Sequence, residues 1–174
     1  AREAAASLSI CPVAAGCLPH QLPFDGERYD LICLLDVLEH VDEDGATLAQ
    51  LARRLRPGGR ILVTVPAYGW LWSAHDVAHH HRRRYTASGL RQLAERNGLA
   101  VQRLGYFNAL LFPAIAAARL LSRWRAKDGA SDAAVPSAPV NALLQAIFAL
   151  ERHVVPRWLF PVGTSALAVL RLPT

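Results

Sequence analysis

Asp36, Glu39 and His40 stand where side chains can do chemistry. They follow a short unbroken apolar run, Tyr29-Asp30-Leu31-Ile32-Cys33-Leu34-Leu35, which has the pattern of a strand buried on both faces of a parallel sheet. Ligands of open α/β sheets bind at the carboxyl ends of the strands, so ionisable groups placed there can hold a ligand or move a proton. The structural alternative is that the two acids open a loop and cap the next helix. A second cluster comes further along: Trp70 and Trp72, then His75, Asp76, His79, His80, His81, Arg82, Arg83, Arg84 and Tyr85. Three consecutive histidines point in different directions, so no metal site is expected. An arginine-histidine loop suits the docking of a carboxylate or phosphate, because the guanidinium is a planar fork; the alternative is a solvated basic loop packed by Tyr85. Two tryptophans and a tyrosine just past a strand suggest a lid or an apolar wall for a substrate.

The elements that must position these residues are readable in turn. Asp42, Glu43 and Asp44 lead into a helix with Leu48, Leu51, Ala52 and Leu55 on one face and Arg53, Arg54 and Arg56 in its last turn. Pro57-Gly58-Gly59 breaks it, and Arg60 to Pro66 is a β-branched strand. Together they make one β-α-β unit, parallel and right-handed. Thr86 caps a helix carrying Leu90, Leu93 and Ala94, which stops at Asn97-Gly98, and Leu99 to Tyr106 forms a further strand. Upstream, residues 1 to 9 read as the end of a helix and Cys11 to Ala15 as a weak strand, followed by a loop from Gly16.

The run FDGERYDLICLLDVLEHVDEDGATLAQLARRLRPGGRILVTVPA resembles the fourth strand, following helix and fifth strand of class I S-adenosylmethionine-dependent methyltransferases, in the ubiquinone-biosynthesis-like branch. D-V-L-E-H leaving the strand and L-R-P-G-G-R-I-L entering the next carry the likeness. Asp76, His81, Arg83, Arg84 and Tyr85 match that branch's D-x-x-x-G-H-x-R-R-Y element, with His80 in place of its glycine. The resemblance implies an α/β, Rossmann-like three-layer sheet, with Leu99 to Tyr106 as sixth strand and Ser165 to Leu172 as the antiparallel seventh. It implies S-adenosylmethionine as cofactor, bound by Asp36, Val37 and Leu38 and, beside the adenine, by Cys17 and Leu18, where relatives carry Asp after the glycine. His40 and His81 become the candidate catalytic bases, and Trp70, Trp72, Arg83, Arg84 and Tyr85 the substrate-binding set. The first two strands and the glycine-rich turn of such enzymes have no counterpart, since no G-x-G occurs in the sequence. The chain therefore reads as an N-terminally incomplete methyltransferase, with residues 1–106 and 161–174 as its core and 107–160 as a helical insertion.

That insertion holds apolar helices from Phe107 to Trp124, interrupted by Pro113, and from Asn141 to Val155, joined by a linker near 126–139 rich in Ala, Ser and Pro. Neither is long enough to span a bilayer, so the pair is expected to roof an apolar pocket, lie on a membrane surface, or pack on the sheet. At 174 residues, 52% apolar and 19% charged, the chain has one domain's worth of core. Its net charge of +5 favours anionic partners, but no basic stripe interleaved with aromatics marks a nucleic-acid surface. Three cysteines without metal spacing, and no signal peptide, fit a cytoplasmic setting with membrane association as the variant. The expected function is methyl transfer to a small-molecule or lipid-like acceptor, the alternative being a non-catalytic scaffold or peripheral membrane module of the same descent. An uncovered sheet edge would favour self-association.

Overall fold

The structure, a computed structural model, describes residues 12–124 and 137–173. The expected N-terminal helix and most of the expected linker lie outside them. Four strands form one sheet in the order β1-β2-β4-β3: β1 (Tyr29–Leu35), β2 (Leu55–Pro66), β3 (Ala100–Phe107) and β4 (Ser165–Arg171). β1 and β2 are parallel, and β4 runs antiparallel to both β2 and β3. β1, β2 and β3 therefore all point the same way, and their carboxyl ends share one edge with the start of β4. The helices are α1 (Asp44–Arg53), α2 (Ala74–Ala78), α3 (Ala87–Arg96), α4 (Phe112–Trp124) and α5 (Ala138–Glu151).

One face of the sheet is the core. Ile61, Val63 and Val65 of β2 alternate onto it, with Ala166, Ala168 and Leu170 of β4 and Leu34 of β1, and Leu48 and Leu51 of α1 and Leu90 and Ala94 of α3 cover them. Helical periodicity meets strand periodicity here, and burial of about a dozen Leu, Ile and Val side chains, each contributing roughly 1.5–3 kcal/mol, opposes the chain entropy. α3 begins where Thr86 accepts a hydrogen bond from the Gly89 amide at 3.0 Å and ends at Gly98, whose φ of +76° lets the chain leave the last turn. Among the described residues the opposite face is partly covered along β2, β4 and β3 and open at β1. On β3 Arg103 donates to the carbonyls of Pro156 and Val155, and Gly105 permits Leu159 to approach so closely that a Cβ would lie 2.5 Å from it.

Several expectations are corrected. β1 is not buried on both faces: Leu34 is buried, but Leu31 and Leu35 are 56% and 55% exposed, because no described element covers that face or pairs with the outer edge of β1. Residues 12–16 form no strand and are exposed; Pro12 has no amide to donate and Val13 is the one β-branched residue. The strand after α1 starts at Leu55, not Arg60. Pro57-Gly58-Gly59 is absorbed as an irregularity, with pairing jumping from Tyr29–Leu55 to Leu31–Arg60. Pro113 does not interrupt a helix: it occupies the first turn of α4, where its missing amide costs nothing.

The chain from Pro66 to Tyr85 is shaped by two carboxylates. Asp76, fully buried, accepts from Arg84 Nε at 2.7 Å and Nη2 at 2.9 Å, pairs with His81 Nδ1 at 2.9 Å, and accepts from the Ser73 amide at 2.8 Å in a capping box for α2. Asp44 accepts from Arg83 at 2.8 Å and from the Tyr85 hydroxyl at 2.9 Å, which ties the loop's far end to the start of α1. Replacing Asp76 with Asn preserves volume but leaves a buried guanidinium without its counter-charge. Asp76→Asn should therefore lower unfolding free energy by about 3 kcal/mol, read by urea denaturation at pH 7.

Candidate functional site

At the carboxyl edge of the sheet the backbone is forced into the left-handed region three times outside glycine. Asp36 (φ +52°) follows β1, Tyr68 (φ +56°) follows β2, and Asn108 (φ +55°) follows β3. Non-glycine residues pay for this conformation, and such positions gather where a fold turns its chain sharply to open a site. Asp36 is held in that state by its amide, which donates to both the carbonyl and the hydroxyl oxygen of Thr64 at 3.1 Å. The turn ends in a single helical turn, Leu38–His40, which buries Leu38 and Glu39 and leaves Asp36 and His40 exposed. Leu38 of the expected cofactor set is thus a core residue, with its carbonyl accepting from the Tyr85 hydroxyl at 3.3 Å.

Two cavities open at this edge. The larger, about 860 Å³, is lined by Asp36, Glu39, His40, His75, His79, His81 and Arg84 from the two loops, by Thr164 and Ser165 at the start of β4, and by Ile115, Arg119 and Phe148 from α4 and α5. The smaller, about 610 Å³, is lined by Gly16, Cys17, Leu18, Asp36, Val37 and His40 among others. Asp36 and His40 belong to both and form the wall between them. Cys17 and Leu18 owe their position to a short turn closed by reciprocal bonds between Cys17 and Gln21 at 2.8 and 2.7 Å, with no strand beneath it.

The two sequence clusters meet inside the larger cavity. His40 and His81 pack edge to face with ring centroids 4.8 Å apart, and the Arg82 amide donates to the Glu39 carbonyl at 2.8 Å, fastening one loop to the other. Asp76 fixes His81: with Nδ1 on the carboxylate, Nε2 is left for the cavity. Burial works to raise the Asp76 pKa, but the Arg84 and His81 hydrogen bonds outweigh it and bring it down to about 2. Glu39 is the opposite case. It is fully buried, neither carboxylate oxygen has a partner from another described residue, and burial, helped by the Asp36 charge, lifts its pKa to about 7 against the pull of its own backbone, His81 and Arg84. His75 is held below the usual histidine range, first by burial and then by the neighbouring His79.

The arginines expected to hold substrate already have carboxylate partners, Arg84 on Asp76 and Arg83 on Asp44. Arg84 still faces the larger cavity, whereas Arg83 and the buried Tyr85 do not line it. Trp70 stacks beside Tyr68 and packs edge-on to Phe112, and Trp72 is partly exposed; neither lines the larger cavity. Glu39 was expected among the ionisable groups at this edge but without a specific role, and Arg119 and Phe148 were not anticipated as lining residues. Glu39 had the signal of lying in the D-V-L-E-H motif, while the other two come from helices whose folding back has no local mark in the sequence.

A methyltransferase-domain family matches residues 6–104 of the chain. The ubiquinone/menaquinone biosynthesis C-methyltransferase UbiE of Bordetella avium is 29% identical over 122 residues, covering 57% of this chain and 47% of the relative, and its Bordetella bronchiseptica counterpart is 28% identical over the same shares. The chain spans about half the length of these curated relatives. Among solved structures, an S-adenosylmethionine-dependent methyltransferase from Clostridium acetobutylicum has a TM-score of 0.52 at 9% identity, over 99% of this chain and 69% of that one. A putative methyltransferase in complex with the Haloferax volcanii Trm112 activator has 0.50 at 20%, over 88% and 58%. With a family match over more than half its length and this strand order, the chain belongs to the methyltransferase-domain family and has the class I S-adenosylmethionine-dependent fold.

Proposed function

We propose that this chain forms the acceptor side and the adenine-facing wall of a methyltransferase acting on a small, acidic or lipid-like acceptor. The observation that carries this reading is the pair of cavities divided by Asp36 and His40. A donor in the smaller cavity and an acceptor in the larger would meet across that wall. Asp36, Val37, Cys17 and Leu18 would hold S-adenosylmethionine, which supplies a methyl already activated on sulfonium. This chain's residues then orient the nucleophile, exclude water and take its proton. His81, aligned by Asp76, is the favoured base, with His40 beside it at the wall. Arg84 and Arg119 give the acceptor cavity a positive field that suits an anionic substituent, while Arg83 and Tyr85 position the loop through Asp44. Residues 107–160 act as an insertion that roofs the cavity through Ile115, Arg119 and Phe148, with Trp70 supporting α4 through Phe112.

A membrane-surface variant is favoured by one observation. Leu120 and Leu121 of α4 and Leu143 and Leu150 of α5 are each at least half exposed, although no helix among the described residues is long and apolar enough to cross a membrane. Co-sedimentation with anionic vesicles, weakened by Leu143→Glu together with Leu150→Glu, is the expected result if a lipid is the acceptor.

S-adenosylhomocysteine titrated calorimetrically into this chain, and into a form extended upstream in its gene, tests the donor side. Binding in at least one form, weakened about tenfold or more by Asp36→Ala, is expected, and no heat from either form would overturn the reading. Glu39 lies beneath both imidazoles and carries a pH signature. Its pKa rises from 4.5 to about 7 on folding, so its burial is neutral below pH 4.5 and becomes a penalty that grows through pH 7. Glu39→Gln should stabilise the protein by up to about 3 kcal/mol at pH 8 and by little at pH 5, read from urea unfolding at the two values.

A further inference from the structure

We propose that Glu39, His40 and His81 form a binding site for one divalent first-row transition cation, with its open coordination position facing the larger cavity. Each residue offers one ligand atom, and these atoms lie within 4.8 Å of one another. The donor set, one carboxylate and two imidazole nitrogens, is the kind that takes zinc, cobalt, manganese or ferrous iron rather than calcium or magnesium. Three protein ligands with a free position toward a cavity is also the pattern of sites that present the cation to a ligand instead of sealing it in.

Three independent features point the same way. Glu39 is fully buried with both oxygens lacking a hydrogen-bond partner among the described residues, a state that a fold tolerates poorly unless a cation or a proton completes it. His81 is already oriented as a ligand would be: its Nδ1 is on the buried Asp76 carboxylate, the second-layer contact that fixes the ring orientation and leaves the other nitrogen for a cation. The Glu39 and His81 segments are also held together, since the Arg82 amide donates to the Glu39 carbonyl at 2.8 Å. A tetrahedral site with bonds of about 2.1 Å spaces its ligand atoms roughly 3.4 Å apart, so the three must draw in by up to about 1.4 Å. His40, the exposed member, can supply that movement by a change of rotamer. The consecutive His79 and His80 are not part of the set; the loop turns at His80, whose φ is +56°, and delivers His81 alone to the site.

The inference concerns the same cavity as the methyl-acceptor reading but stands apart from it. A bound cation takes the free lone pairs of both imidazoles, so the base role assigned to them describes the cation-free protein, and failure to bind a cation would leave that role untouched.

Zinc binding to the full chain, measured by competition with a chromophoric chelator after alkylation of the three cysteines, tests the site. One equivalent with micromolar or tighter affinity is expected, and cobalt in its place should show visible ligand-field bands. Glu39→Gln and His40→Ala should each weaken binding about tenfold or more, whereas His79→Ala with His80→Ala should not. Because Glu39→Gln removes a buried charge, the variant should fold at least as stably as the parent, and it should lose the zinc-induced rise in Tm that the parent shows. No saturable binding, or binding that survives Glu39→Gln and His40→Ala, would overturn the proposal.

Discussion

The buried carboxylate of Asp76 sets the course of the functional loop, whose far end Asp44 ties down. The stretch from Pro66 to Tyr85 has little regular structure and few apolar anchors, so its path cannot be set by burial alone. Asp76 gathers a bidentate guanidinium, an imidazole and a backbone amide into one ionic knot. Taking these groups out of water is expensive, and the knot holds because every lone pair of the carboxylate has a donor. The stability it contributes is fully present above pH 4 and fades only toward pH 2, so it persists under any physiological condition. What the loop then does follows from where the knot leaves its edges: His81 with one nitrogen directed at the cavity, and Arg84 along its wall.

The same edge shows a fold trading backbone comfort for an opening. Asp36, Tyr68 and Asn108 adopt left-handed conformations at the ends of three parallel strands, each costing on the order of 1 kcal/mol. Tight turns here throw the loops outward instead of letting the chain cross the sheet edge, and the gap between them is the cavity. β4 contributes by running antiparallel, since only then does its start, with Thr164 and Ser165, lie beside the ends of the others.

How much of this could be read from the residues depends on whether the cause was local. The β-α-β unit and the capped α3 were readable because periodicity, Thr86 and Gly98 are local signals, whereas the last antiparallel pair came from the family resemblance and the P-G-G turn was misplaced, lying inside β2. The D-V-L-E-H and H-R-R-R-Y runs were readable as belonging together, since both are motifs of one family. Their physical roles were less so. Arg83 and Arg84 look like free cations in the sequence, and only the tertiary fold shows that Asp44 and Asp76 hold them. β1 failed for a related reason. An apolar run announces what a strand would like to bury, not what lies against it, and Leu31 and Leu35 find nothing among the described residues to cover them.

Glu39 shows where local reading and physical cost part most clearly. In sequence it is an ionisable group past the end of a strand, as able to cap the next helix as to do chemistry. In the fold it is fully buried, close to two imidazoles, with neither oxygen paired to another of the described residues. A fold can bear one such group when its surroundings can answer the charge in more than one way. With a proton, Glu39 is a neutral acid; without one, its charge is favoured by its own backbone and by the nearby His81 and Arg84, against the cost of burial. Asp76 and Glu39 thus divide the work of the site between them: the carboxylate with every donor satisfied gives the loop its shape, and the carboxylate with none keeps the site open to a charge from outside.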